Sequence, residues 1–276
     1  MITLGIGNVF ALNQVQKGVA MKILRKMQGK KLKKLYPYFL KNFEKRLQRQ
    51  LVGSFPVAHA ITYPNGKAFV DVTFLQSKRP RWPSPKASGS AYFLRNLQAK
   101  ISKLVKNGQI VTRNKKSGQL SPNELVPYEQ KVKEKLKQDW QDKIEIIKHS
   151  NNPEEIAEHL LLLQFIEPTK EILNTIYHCL SSEYEVVQNS AAYVLGDYLD
   201  KPKSWQFERI LCLLDSPFSA PINKGLYLLA RMLETEIPRK FKVRICQEAK
   251  KFIGNLQPNI SEIAKMILQK YNKSGN

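Results

Sequence analysis

At 276 residues, with 42% hydrophobic and 25% charged, the chain is long enough for two domains and too apolar to be disordered. Its net charge of +22 lies entirely in residues 1–123, which hold 24 Lys and Arg against two acids, Glu44 and Asp71; residues 124–276 balance 21 bases with 21 acids. Cys179, Cys212 and Cys246 show no CxxC spacing, which argues against a disulfide framework or a zinc site and for reduced thiols in a cytoplasmic protein. So concentrated a charge repels itself unless counter-charge arrives from outside, so the expected partner is an anionic polymer or surface.

Residues 1–21 are apolar but interrupted by Asn8, Asn13, Gln14 and Gln16, too polar to cross a bilayer and without the basic start of a signal peptide. They read as a packing helix or as leader sequence ahead of a start at Met21. A basic α+β domain is expected over 22–123. Within it, LKKLYPYFLKNFEKRLQRQL carries Phe39, Leu40, Phe43, Leu47 and Leu51 at helical spacing, with Pro37 suited to the first turn. Lys41, Lys45, Arg46 and Arg49 occupy the other face of that helix, where they can track phosphates or lie on anionic lipid. From Val57, VAHAITYPNGKAFVDVTFL reads as a β-hairpin turning at Pro64-Asn65-Gly66.

His59 and Asp71 are the catalytic-looking side chains of this region. A metal nuclease needs several carboxylates around its ions, and only Asp71 and the more distant Glu44 are on offer. No catalytic residue, metal ligand or cofactor is assigned; an acid-independent nuclease or nucleic-acid-modifying enzyme is the enzymatic alternative.

Residues 76–90, QSKRPRWPSPKASGS, combine Lys78, Arg79, Arg81 and Lys86 with three prolines, Trp82 and no acid. Proline keeps such a segment extended, the bases can neutralise phosphates, and Trp82 offers a face for a base. The segment therefore reads as a contact arm, against the alternative of a linker whose tryptophan packs back on the domain. Ser88 or Ser90 can then cap a helix, AYFLRNLQAKISKLVKNG, ended by Gly108. QIVTRNKKSGQL follows as a small basic hairpin. Helix, glycine and lysine-tipped hairpin over roughly 90–120 resemble the recognition helix and wing of winged-helix domains, which implies that Arg95, Lys103, Arg113, Lys115 and Lys116 face nucleic acid.

Ser121-Pro122-Asn123 marks a boundary. Residues 124–149 form a charged helix with Val132, Leu136, Trp140, Ile144 and Ile147 as its stripe, read as a solvated connector. Over 150–272, PEEIAEHLLLLQFI, VQNSAAYVLGDYL, PINKGLYLLARML and ISEIAKMILQKY align on Ala157, Ala191, Gly225 and Ala264, with periods of 34, 34 and 39, and further helices are expected at 168–180, 203–214 and 238–254. VVQNSAAYVLGDYL resembles the second helix of a HEAT repeat, with Gln188 in place of the usual arginine. The resemblance implies an α-solenoid that binds another protein. His149, His159 and His178 have no partner at metal spacing and read as structural. Residues 273–276 are a tail.

The sequence thus predicts an α+β protein: a basic N-terminal domain that contacts nucleic acid, DNA or RNA, followed by an all-α HEAT-like scaffold for a protein partner. The non-enzymatic alternative is a peripheral membrane scaffold on anionic lipid.

Overall fold

Residues 2–10, which the sequence suggested as a packing helix or a leader, are a central strand of a sheet. In the computed structural model, which describes residues 1–33, 37–80, 82–86, 88–113, 120–199 and 203–274, β1 (Ile2–Phe10) is followed by α1 (Gln14–Met27), β2 (Lys31–Leu32), α2 (Pro37–Gln50), β3 (Phe55–Thr62) and β4 (Lys67–Leu75). Sheet order is β2-β1-β4-β3, with β1 parallel to β4 and the other two pairings antiparallel. The β3–β4 hairpin turns where expected, with Gly66 at a φ of 74° that favours glycine. The glycines of β1 answer to β4. A Cβ on Gly5 would lie 2.8 Å from the Phe69 ring, and one on Gly7 would lie 2.1 Å from Asp71 Oδ1.

Side chains alternate along β4, so its two faces can be read separately. Ala68, Val70, Val72 and Phe74 join Leu4 and Ala58 in a core with Ala20, Ile23, Leu24 and Met27 of α1 and Phe43 and Leu47 of α2. Helices α1 and α2 therefore cover one face of the sheet. Asp71 and Thr73 point to the other face, where they meet residues far along the chain: Gln257 Nε2 donates to Asp71 Oδ1 (2.8 Å) and Thr73 Oγ1 donates to Pro217 O (2.7 Å).

The remaining helices are α3 (Gly89–Lys106), α4 (Val126–His149), α5 (Pro153–Leu162), α6 (Lys170–Cys179), α7 (Glu185–Tyr198), α8 (Ser204–Leu211), α9 (Ser219–Met232), α10 (Arg239–Lys250) and α11 (Pro258–Ser274). Two short strands, β5 (Thr112–Arg113) and β6 (Leu120–Ser121), form the second hairpin. The helices predicted from the 34-residue spacing are all present, so the protein is α+β, with a small N-terminal sheet ahead of a long run of helices. Ala157, Ala191, Gly225 and Ala264 are all buried.

The chain divides into two compact units, Met1–Arg81 with Leu213–Asn276, and Trp82–Cys212. The boundaries at 123 and 149 read from composition do not coincide with this division. In the second unit α3 and α5 pack on α4, and α6 and α5 on α7. Helix α4 is no solvated connector. It buries Val132, Leu136, Ile144 and Ile147, and with them two charged residues, Glu129 and Lys143. Glu129 accepts the backbone N–H of Leu120 (3.0 Å), and Lys143 pairs with Asp139 (3.2 Å), so both buried charges have partners. His159 is structural: its Nδ1 lies 2.7 Å from Glu155 O, and burial pushes its pKa down.

Candidate functional site

The fold divides charge almost as unequally as the sequence does. The unit containing the sheet holds 27 Lys and Arg against 7 Asp and Glu, a net +20, whereas residues 82–212 hold 18 against 16. The balance over 124–276 conceals two opposed parts: residues 124–212 carry 10 bases and 16 acids, and residues 213–276 carry 11 and 5.

Helices α1 and α2 form the outer layer on one face of the sheet and touch each other. Their apolar stripes are committed to the core, which leaves Lys17, Lys22, Arg25 and Lys26 of α1 and Lys41, Lys45, Arg46 and Arg49 of α2 exposed. Lys30, Lys31 and Lys33 between the helices are exposed as well. Both acids of the first 81 residues are engaged inside the unit. Glu44 Oε1 accepts the backbone N–H of Ala58 (2.8 Å) on edge strand β3, and Asp71 is only 3% exposed. On α1 and α2 the bases therefore face a single acid, Glu44, which is half-buried and held by β3. The four α2 residues are those expected from the sequence; the four of α1 were missed because the boundary drawn at residue 21 cuts through the helix, with Lys17 on one side and Lys22, Arg25 and Lys26 on the other. Ala20, Ile23, Leu24 and Met27 sit at helical spacing, and that signal could have found the helix.

The 76–90 segment divides between the two units. Lys78 and Lys86 are exposed. Arg79 sets its guanidinium 5.2 Å from the centre of the Phe218 ring within the first unit. Trp82 is half-buried, with its indole Nε1 enclosed. Pro83 O accepts from Asn152 Nδ2 (2.9 Å) and Pro85 O from Arg95 Nη2 (2.7 Å), so this stretch is pinned to the second unit instead of standing free. Arg81 lies outside the described residues.

Arg95, which the winged-helix resemblance turns toward nucleic acid, is partly exposed and engaged in an ion pair. Its guanidinium forks onto the Glu158 carboxylate, with Nη2 2.7 Å from Oε2, while also holding Pro85 O. Lys100 of the same helix pairs with Glu124 (2.6 Å). Lys103 remains exposed, and Arg113 falls in β5. Lys115 and Lys116 lie outside the described residues.

The polar network around Asp71 holds the sheet to the C-terminal helices within its unit. A register shift in β1 between Ile6 and Val9 turns the Asn8 N–H out of the ladder, and it donates to Asp71 Oδ1 (2.6 Å). Asn8 Nδ2 donates to Ser219 Oγ (2.8 Å) and Asn255 Oδ1 (2.9 Å). Tyr63 OH shares Gln257 Oε1 (2.9 Å) and Asn259 Oδ1 (2.5 Å). Burial pushes the Asp71 pKa up, against hydrogen bonds from Gln257, Ser219 and Asn8 and the nearby His59, which pull it down. His59 faces Asp71 across the β3–β4 ladder and stands edge-on to Phe218 at 5.9 Å. Closed in this way, Asp71 fastens the fold.

Among the described residues no group of three or more His, Cys, Asp or Glu is placed to hold a metal ion, and no helix is long and apolar enough to cross a membrane. Burial pushes the Cys179 thiol up to about 12, which leaves it protonated and unreactive at neutral pH. No protein-family model and no curated protein matches the chain.

Proposed function

We propose that the protein binds nucleic acid by laying the outer face of α1 and α2 along the sugar-phosphate backbone. The observation that carries this reading is eight exposed Lys and Arg on two adjacent helices whose neighbouring acids, Glu44 and Asp71, are taken up inside the unit. Bases on such a face neutralise phosphates and fix position on a duplex, but they do not read base edges, so binding is largely independent of sequence.

Anionic lipid offers the same charge. Peripheral helices, however, hold lipid by burying an apolar face, and the apolar stripes of α1 and α2 are already packed on the sheet. What supports a HEAT-like scaffold in the remaining helices is their pairing, α5 on α7 and α9 on α11, with a small buried residue in each. Under this reading each pair, α5 with α7 in the second unit and α9 with α11 in the first, presents a protein-binding surface.

A salt titration tests the nucleic-acid reading. Affinity of the full chain for a duplex of arbitrary sequence should fall with a log–log slope near −5 or steeper, since six or more phosphate contacts contribute about −0.9 each. A slope near zero, or tight binding to phosphatidylserine vesicles with none to duplex, would remove it.

A further inference from the structure

The sheet-containing unit carries a second basic surface on α10, whose sequence RKFKVRICQEAK holds five bases against one acid, Glu248. Phe241, Ile245, Cys246 and Ala249 turn inward, and Arg239, Lys240 and Lys250 are exposed on the outer side. Lys251 follows them, exposed although paired to Glu248 at 2.6 Å. The position of α10 gives this surface its meaning. It packs on α11, and the turn leading into α11 meets the sheet through Gln257 on the face that carries Asp71. Helices α1 and α2 cover the opposite face.

We infer that the protein bridges two nucleic-acid duplex segments, one on α1 and α2 and a second on α10. This rests on the nucleic-acid reading proposed above and extends it to a second site. The turn that joins α10 to α11 meets one face of the sheet and α1 and α2 cover the other, so the sheet stands between the two surfaces and one straight duplex does not lie along both. Wrapping one duplex around the unit is opposed by DNA stiffness, with a persistence length of about 150 bp. Helix α10 is about 18 Å long, enough to lie beside roughly five successive phosphates of one strand.

A capture experiment on the full chain tests this. Protein is loaded on a bead-bound duplex of about 20 bp, too short to wrap, and retention of a second, fluorescent duplex is measured. The wild type should retain it. The triple variant Arg239→Glu, Lys240→Glu, Lys250→Glu should bind the first duplex within about threefold of wild type while losing second-duplex retention about tenfold or more. The Gln triple at the same positions, which removes charge without adding carboxylates, should lose less, and it replaces the Glu triple if that variant melts early. Undiminished capture by both variants would overturn the inference, and this outcome includes bridging by a dimer through two α1–α2 faces. Equal loss of first and second binding would overturn it too, by placing α10 in a single shared interface. Failure of the wild type to bind even the first duplex would instead overturn the nucleic-acid reading itself.

Discussion

Asp71→Ala is expected to destabilise the sheet-containing unit by on the order of 4 kcal/mol, because it strips the acceptor from three buried donors at about 1–3 kcal/mol each, less the desolvation recovered by removing a carboxylate. Those donors are the Asn8 backbone N–H, the Gln257 amide and the Ser219 hydroxyl. Asp71→Asn keeps a carbonyl oxygen in place and should cost about 1 kcal/mol or less. Gly7→Ala should approach the severity of the alanine change at 71, roughly 3 kcal/mol, since its new Cβ collides with backbone as well as with the carboxylate. The contacts in question are Val70 O at 2.8 Å and Val70 C at 2.9 Å, neither of which can swing away.

The pH dependence carries its own sign. Burial raises the Asp71 pKa above its ordinary 3.8, so the folded state keeps its proton where the unfolded chain has lost it. Stability from this group is therefore present below 3.8 and is lost as pH rises through the raised value. Asp71→Asn should abolish that loss. Chemical denaturation of the wild type and the three variants across this pH range measures all of it; equal stability of Asp71→Ala and wild type would show that the network holds nothing together.

The second large effect is on binding. Lys41→Glu, Lys45→Glu, Arg46→Glu and Arg49→Glu together should weaken duplex affinity at least about 100-fold and flatten the salt slope by about 3.6, four contacts at roughly 0.9 each. All four side chains are exposed, so the melting temperature should stay close to wild type. The matched control is Lys131→Glu, Lys137→Glu, Lys170→Glu and Lys203→Glu, four reversals at exposed positions of the nearly neutral unit, which should change affinity less than about tenfold. Equal losses from both sets would mean that net charge alone, and no particular face, governs binding.

The helices and the hairpin were legible in the sequence because each depends on its own residues. Phe43 and Leu47 repeat at helical spacing, and Pro64-Asn65-Gly66 turns a chain with β-branched flanks. Strand β1 was not legible. Its Gly5, Gly7 and Asn8 look like interruptions until Phe69 and Asp71, more than sixty residues away, are seen to need the space and the donor. The unit boundaries were hidden for the same reason: composition is summed along the chain, whereas residues 213–276 join the first 81 in space. The ion pair of Arg95 was not legible because its acid, Glu158, is 63 positions away. On the candidate interface, the sequence located α2 but missed α1, and with it half of the exposed bases on the two helices.

The central claim is that duplex lies on α1 and α2, and acylation footprinting of lysines on the full chain, with and without a generic duplex at low salt, tests it most directly. The account predicts protection at Lys17, Lys22, Lys26, Lys41 and Lys45, with Lys131, Lys133, Lys135 and Lys137 of α4 reacting as in the free protein. Protection confined to α4, with the lysines of α1 and α2 still fully reactive, would contradict it.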